Sequence, residues 1–235
     1  MIRAISFDLD DTLWPIAPTI VRAERNLIDW LSARLVHVAN DWSIERLRAH
    51  RDEVAIAHPH LAHDFTAQRK LALATVIGEH PERQALIEGA FEVFFAARNQ
   101  VELYADAAAA LQHLHARMPL IALSNGNADL QRIGLAHLFR ARISARDVGA
   151  AKPEPGIFRA ACDALQLPAH AIAHVGDDPL MDVIGARRAG MFAVWLNRDG
   201  NVWSHAERPD LEIHTLTELC EWVEAIPGAQ ERMHA

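Results

Sequence analysis

The chain opens on the stretch Ala4-Ile5-Ser6-Phe7-Asp8-Leu9-Asp10, where apolar positions alternate and then end in acids. That pattern predicts a strand entering from a buried sheet. Trp14-Pro15-Ile16-Ala17-Pro18 breaks it, and the two prolines predict a connector. From Thr19 to about Arg98 apolar residues such as Val21, Ile28, Leu31 and Leu35 recur at helical intervals. The spacing predicts four helices, over about 19–39, 43–57, 65–78 and 82–98, that share a buried face. Ser43 and Asp64 suit the N-caps of the second and third, and Pro81 suits the first turn of the fourth.

After Leu103 the rhythm changes. An alanine-rich helix is expected over Asp106–Arg117, then a short apolar strand over Leu120–Leu123. Further strands are expected over Ala141–Ser144, Ala171–Val175 and Met191–Leu196, with helices over Pro155–Leu165 and Pro179–Ala189. The tail from Pro227 reads as frayed. Strands alternating with helices imply an α/β fold, with a Rossmann-like parallel-sheet core and helices on both faces. The core takes residues 1–16 and 100–235, and an all-helical domain is inserted over 17–99.

Composition narrows the function classes. The chain has 235 residues, 51% hydrophobic and 23% charged, with a formal charge of −8. It can bury a core, and its acidity argues against a nucleic-acid or anionic-membrane surface. No stretch approaches the ~18 apolar residues of a membrane span, and acids stand where a signal peptide would need an apolar run. Two cysteines, Cys162 and Cys220, make neither a disulfide framework nor a zinc site. A cytoplasmic location is expected. Of the 23 basic residues only Lys70 and Lys152 are lysine, so each surviving lysine draws interest.

Chemistry is sought at the polar ends of the expected strands, because ligands of parallel sheets bind beyond the carboxyl ends. Asp8 and Asp10 stand two apart and project to one face. Two neighbouring carboxylates repel, so one keeps a proton or a cation neutralises them. Oxygen ligands without Cys or His suit Mg²⁺. Asp177 and Asp178 end a later strand, and Asp182 lies one helical turn on. Taken alone, such acids also fit a structural cap or a solvated turn. Ser124 and Asn125 end another strand in a glycine-containing turn that can cradle an anion or be an ordinary turn. Lys152 precedes a helix and can place a compact charge on a phosphoryl group or between carboxylates, or lie at the surface.

The order of these pieces resembles the haloacid dehalogenase-like hydrolase superfamily, in its magnesium-dependent phosphatase branch. The matching residues are Asp8-Leu9-Asp10-Asp11-Thr12-Leu13, Ser124-Asn125, Lys152-Pro153, and Gly176-Asp177-Asp178 with Asp182. The resemblance implies that Asp8 is the nucleophile, forming an aspartyl-phosphate, and that Asp10 is the acid and base. Ser124 would hold the phosphoryl oxygens, Asn125 would help position the nucleophile, and Lys152 would offset charge. Mg²⁺ would be bound by Asp8, Asp177 and the backbone carbonyl of Asp10, with Asp182 anchoring them from behind and Asp178 either behind them too or touching the metal directly or through water. Dehalogenating members lack the second aspartate, so Asp10 favours phosphoester chemistry. The helical insert looks like the family's cap, which excludes water and selects small substrates.

Several pieces are similar to a bacterial subgroup that acts on flavin mononucleotide and on the phosphorylated ribitylaminouracil of riboflavin synthesis. They include Asn125-Gly126-Asn127-Ala128, Trp195-Leu196-Asn197 and the insert stretch His63-Asp64-Phe65-Thr66-Ala67-Gln68-Arg69. His63, Asp64, Thr66 and Arg69 would then face the leaving group; alternatively, Asp64 and Thr66 cap a helix and Arg69 is solvated. N-acylneuraminate and other sugar phosphates are the competing substrates. A regulatory protein that binds a phosphometabolite without turnover is the reading from a different class. The loop histidines His58, His60 and His63 read as solvated rather than as a zinc site.

Overall fold

The computed structural model describes residues 1–226; the tail from Pro227, expected to fray, lies outside the described residues. Among the described residues six strands form one sheet: β1 (Ala4–Phe7), β2 (Leu120–Ser124), β3 (Ala141–Ser144), β4 (Ile172–Gly176), β5 (Phe192–Leu196) and β6 (Leu211–Ile213). The order is β3-β2-β1-β4-β5-β6, and each neighbouring pair is parallel. Every residue of β1, β2 and β4 is buried, as a parallel sheet covered on both faces requires. The strands run outward from β1 in both directions, so the order reverses there, and parallel sheets bind ligands beyond the carboxyl ends of the strands at such a point.

The helices are α1 (Ile16–Ser32), α2 (Val36–Asp41), α3 (Ile44–Ala57), α4 (Phe65–Ile77), α5 (Arg83–Arg98), α6 (Ala107–His115), α7 (Leu130–Ile133), α8 (Ala145–Val148), α9 (Pro155–Leu165), α10 (Gly185–Arg188) and α11 (Leu216–Ala225). On one face of the sheet Ile157, Phe158, Ala161 and Leu165 of α9 pack on Ala4, Ile121, Leu123, Ile172 and Ala193. Helices α6 and α11 pack against each other.

The chain divides into two compact units. One holds residues 1–15, 102–126 and the described residues from Gly134; the other holds 16–101 and 127–133. The second unit is helical, with a core built by Ala23, Leu27 and Leu31 of α1, Leu73, Val76 and Ile77 of α4, and Ala90 and Phe94 of α5.

Some elements differ from expectation. The helix expected over 19–39 starts at Ile16 and breaks after Ser32. Pro18 sits third in α1, where its missing N–H is one of the four that have no helical partner. Leu35 is extended at φ −130°, and the break lets Leu31, Leu35 and Val38 all enter one core. Pro81 precedes α5 rather than opening it. Ser43 and Asp64 do cap α3 and α4, accepting from Arg46 N at 3.2 Å and Ala67 N at 2.9 Å. The helix expected over 179–189 begins as a wide π turn, Pro179–Ile184, in which Val183 N reaches Asp178 O at 3.2 Å.

Candidate active site

Strand pairing builds the site. Phe7 pairs with Ala122 on one side and Val175 on the other. The next residue, Asp8, donates its N–H to Val175 O at 2.9 Å. Asp8, Ser124 and Asp177 therefore leave three adjacent strands at one end of the sheet.

Beyond Asp8 the chain turns tightly. Leu13 N returns to Leu9 O at 2.8 Å and Asp11 N to Trp14 O at 2.7 Å. Asp11 adopts φ +60°, a left-handed conformation that aspartate tolerates better than most residues. The fully buried Trp14 donates its indole N–H to Asp10 Oδ1 at 2.8 Å, which fixes the direction of that carboxylate. Asp10 and Asp8 thus belong to one turn, although not to one continuous strand.

Lys152 lies 4% exposed in the segment before α9. A two-way clamp holds its backbone: Lys152 N donates to Asn125 Oδ1 at 2.7 Å, and Asn125 Nδ2 donates to Lys152 O at 3.0 Å. Its ammonium donates to Asp8 Oδ1 at 2.5 Å and to Asp182 Oδ1 at 2.6 Å. Ser124 Oγ accepts from Gly126 N at 3.0 Å, which orients the hydroxyl at the end of β2. Thr12 donates to Asp177 Oδ1 at 3.0 Å, and Trp195 donates its indole N–H to Asp177 O at 2.9 Å. Asp178 caps the following turn, accepting from Leu180 N and Met181 N, both at 2.8 Å.

Among the described residues, Asp8, Asp177 and Asp182 offer carboxylate atoms that all lie within 4.8 Å of one another. Burial pushes Asp8 well above the usual carboxylate range; the Asp182 and Asp177 charges add to this, and Lys152 opposes it. Burial, and then the Asp182 charge, pushes Asp177 up to about 7. Asp182 stays below the usual range because Lys152 and His174 outweigh its burial. Burial disfavours the Lys152 ammonium too, but Asp182 and Asp8 more than compensate, so it remains charged.

The donor set fits a hard divalent cation. It is all carboxylate, with no sulfur or imidazole, and its neighbouring charges call for neutralisation. Asp182 already accepts from Lys152, His174 and Asp178 N. Asp8 and Asp177 are engaged through Oδ1 and keep Oδ2, so these two are the carboxylates that would hold Mg²⁺.

The helical unit accounts differently for the insert residues. Asp64 caps α4, and the buried Thr66 Oγ1 accepts from Asn127 Nδ2 at 3.2 Å. Asn127 Oδ1 in turn accepts from Arg98 Nε at 3.1 Å. The Arg69 guanidinium lies 3.5 Å from the Phe94 ring centroid, and burial lowers its pKa to about 9. His63 is half-buried. The His58 and His60 rings pack edge to face at 5.7 Å.

Ser6, Thr12, Trp14, His174 and Trp195 also hold site residues through hydrogen bonds, a part that the sequence pattern does not assign to them. Ser6 and His174 did carry a signal, as lone polar residues inside apolar strands just before the acidic ends.

A model of the haloacid dehalogenase-like hydrolases matches residues 2–190. The chain belongs to that family. Over 227 residues this hydrolase is 32% identical to the 5-amino-6-(5-phospho-D-ribitylamino)uracil phosphatase YigB of Escherichia coli (strain K12), covering 93% of this chain and 94% of the relative. The crystal structure of a 2-haloacid dehalogenase from Pseudomonas syringae pv. Tomato DC3000 superposes with a TM-score of 0.89 at 38% identity, covering 95% of this chain and 99% of that one. A HAD phosphatase from Thermococcus onnurineus superposes with a TM-score of 0.69 at 28% identity, covering 94% and 98%. No helix among the described residues is long and apolar enough to cross a membrane.

Proposed function

We propose that this hydrolase is a Mg²⁺-dependent phosphomonoesterase working through an aspartyl-phosphate on Asp8, with flavin mononucleotide or phosphorylated ribitylaminouracil as substrate. The observation that carries the reading is the buried Asp8–Lys152 pair at the end of the central strand, beside the second acid, Asp177. The likeness to a ribitylaminouracil phosphatase along nearly the whole chain supports the substrate.

In the first half-reaction an Asp8 carboxylate oxygen attacks phosphorus as the P–O ester bond breaks. The bonding pair leaves on the alcohol oxygen, which takes a proton from the Asp10 carboxyl. In the second, Asp10 removes a proton from water as the water oxygen attacks the same phosphorus. The P–O bond to Asp8 then breaks, the pair returns to Asp8, and inorganic phosphate leaves. Lys152 favours the ionised form of Asp8 against its burial and aims the carboxylate, and the Ser124 hydroxyl donates to a phosphoryl oxygen. Asn125 keeps the Lys152 backbone in place. Bound Mg²⁺ supplies charge cancellation between the carboxylates and the phosphate dianion. Asp178 and Asp182 support the ion site from behind. Choice of leaving group is assigned to the helical unit, with Arg69 on its Phe94 shelf stacking or hydrogen bonding the ring, and His63, Asp64 and Thr66 beside it in sequence.

Asp10 also separates this chemistry from halide displacement, which the dehalogenase likeness raises. A halide departs as a stable anion and needs no proton; an alkoxide does need one.

The test is product release from a panel: flavin mononucleotide, phosphorylated ribitylaminouracil, N-acylneuraminate phosphate, common sugar phosphates and 2-chloropropionate. Each is assayed with Mg²⁺, with chelator, and with a folded Asp8→Asn variant. The expected result is chelator-sensitive phosphate release led by a flavin-type substrate, reduced on the order of 10³-fold or more in the variant. Release led by a sugar phosphate would keep the chemistry and remove the flavin assignment. Chloride release without phosphate release would overturn the phosphatase reading, as would tight phosphometabolite binding without turnover.

A further inference from the structure

Beneath the acid cluster lies a buried imidazole that the chemistry above leaves unused. Ser6 and His174 are directly paired across β1 and β4. Period-two geometry therefore puts Ser6 on the same side of β1 as Asp8, and His174 on the same side of β4 as Gly176. His174 is 1% exposed and meets the Phe158 ring edge to face at 5.4 Å. Its two nitrogens have different partners: Nδ1 lies 3.0 Å from Ser6 Oγ and Nε2 lies 3.1 Å from Asp182 Oδ1.

The chemistry of the partners sets the tautomer. An ionised carboxylate only accepts, so Nε2 carries the proton and donates to Asp182. Nδ1 then accepts, and the Ser6 hydroxyl donates to it. Burial holds the His174 pKa below its ordinary value against the pull of Asp182, which keeps the ring neutral. Asp182 is thereby pinned by three donors: His174 Nε2 and Lys152 Nζ on Oδ1, and Asp178 N on Oδ2. Lys152 spans from that fixed carboxylate to Asp8.

We propose that His174 is a positioning residue, and that the chain Ser6–His174–Asp182–Lys152 fixes where the lysine meets the Asp8 nucleophile. This rests on the reading of Asp8 as the nucleophile. A carboxylate held only by Lys152 and one backbone N–H can rotate, and the ammonium moves with it. The alignment matters most when charge develops on the phosphoryl group, so its loss should lower kcat and leave substrate binding largely intact.

The test compares three variants with p-nitrophenyl phosphate and Mg²⁺, with kcat taken per folded enzyme. His174→Leu removes both bonds. His174→Gln keeps a donor near the Nε2 position, and His174→Asn reaches toward Ser6 but falls short of Asp182. Supporting partners of this kind are typically worth about 10- to 100-fold in activity. The expected result is a kcat loss in that range for Leu and Asn, with KM within about threefold, and recovery to within about fivefold by Gln. Should the Leu variant fail to fold, the Gln–Asn contrast decides. In parallel, nitrogen-15 NMR of the histidine-labelled wild type should find His174 as the neutral Nε2–H tautomer. Equal kcat in Gln and Asn, or an Nδ1–H tautomer, would overturn the positioning role and leave the phosphatase reading standing. A wild type that cleaves no phosphomonoester would overturn the phosphatase reading and the kinetic role of His174 with it, whereas the tautomer measurement would still judge the hydrogen-bond chain by itself.

Discussion

Gly176 closes β4 without a side chain because Asp182 fills the space that one would need. A Cβ built there would lie 2.3 Å from Asp182 Cγ and 2.4 Å from Oδ2, well inside contact distance. Asp182 cannot yield without releasing Lys152 and His174. Gly176→Ala is therefore expected to cost about 1–3 kcal/mol from overpacking and to lower kcat by displacing the Lys152 anchor. Thermal melts and kinetics on the purified variant check both; an unchanged melting temperature with full activity would refute the contact. Residues of this kind mark the limit of sequence reading. Asp8, Ser124 and Asp177 were legible because each ends an apolar run that had to be a strand. The indole bond from Trp14 to Asp10, and the Ser6–His174 pairing, depend on a tight turn and a strand register that no local pattern encodes.

At the scale of elements, strong periodicity was legible and weak periodicity was not. Helix α9 and strands β2 and β4 fall where their apolar runs predict. Strand β6 is only three residues long, its Glu212 is exposed and it follows the long irregular connection from Leu196, so neither it nor α11 just beyond it stands out in the sequence pattern. Helix α11 is secured by a long-range node. The expected start of the alanine-rich helix, Asp106, makes no side-chain cap bond to α6. Its carboxylate instead accepts from Arg198 Nη1 and Nη2, both at 3.1 Å, and from Leu216 N at the start of α11, at 2.8 Å. Arg198 also lies 4.1 Å from the Tyr104 ring centroid and donates to Thr12 O at 3.2 Å. Asp106→Ala leaves that guanidinium and the α11 amide short of an acceptor, an expected cost of roughly 1–3 kcal/mol. The urea midpoint should fall at unchanged m-value, and Asp106→Asn, which still accepts from one donor, should lose less. No change in midpoint for the alanine variant would show that α11 is held by its apolar face alone.

For the whole molecule, the acid cluster makes stability depend jointly on pH and on a divalent cation. Asp8 and Asp177 both have folded pKa values above the ordinary carboxyl value, with Asp177 near 7. Without a cation, their contribution to stability is fully present below the ordinary carboxyl pKa, where both states are protonated. It is lost as pH rises through the folded values, because the buried acids must then ionise beside each other. His174, held below its ordinary pKa, works in the opposite sense, its contribution lost as pH falls. Asp182, also depressed, loses its contribution only in stronger acid. These two titrations occur with or without the cation, so to first order they cancel in the difference between the two melting curves. What remains is competition between protons and Mg²⁺ for Asp8 and Asp177. The stabilisation by Mg²⁺ should therefore grow from pH 5 to pH 8. At a hundred times its dissociation constant the ion is worth about 2.7 kcal/mol, or roughly 5–10 °C for a chain of this size. Melting curves with and without Mg²⁺ across that range read the effect directly, and Asp177→Asn should abolish most of it. A shift independent of pH would mean that the ion binds away from these carboxylates. One that grows toward acid would contradict the direction of both shifts.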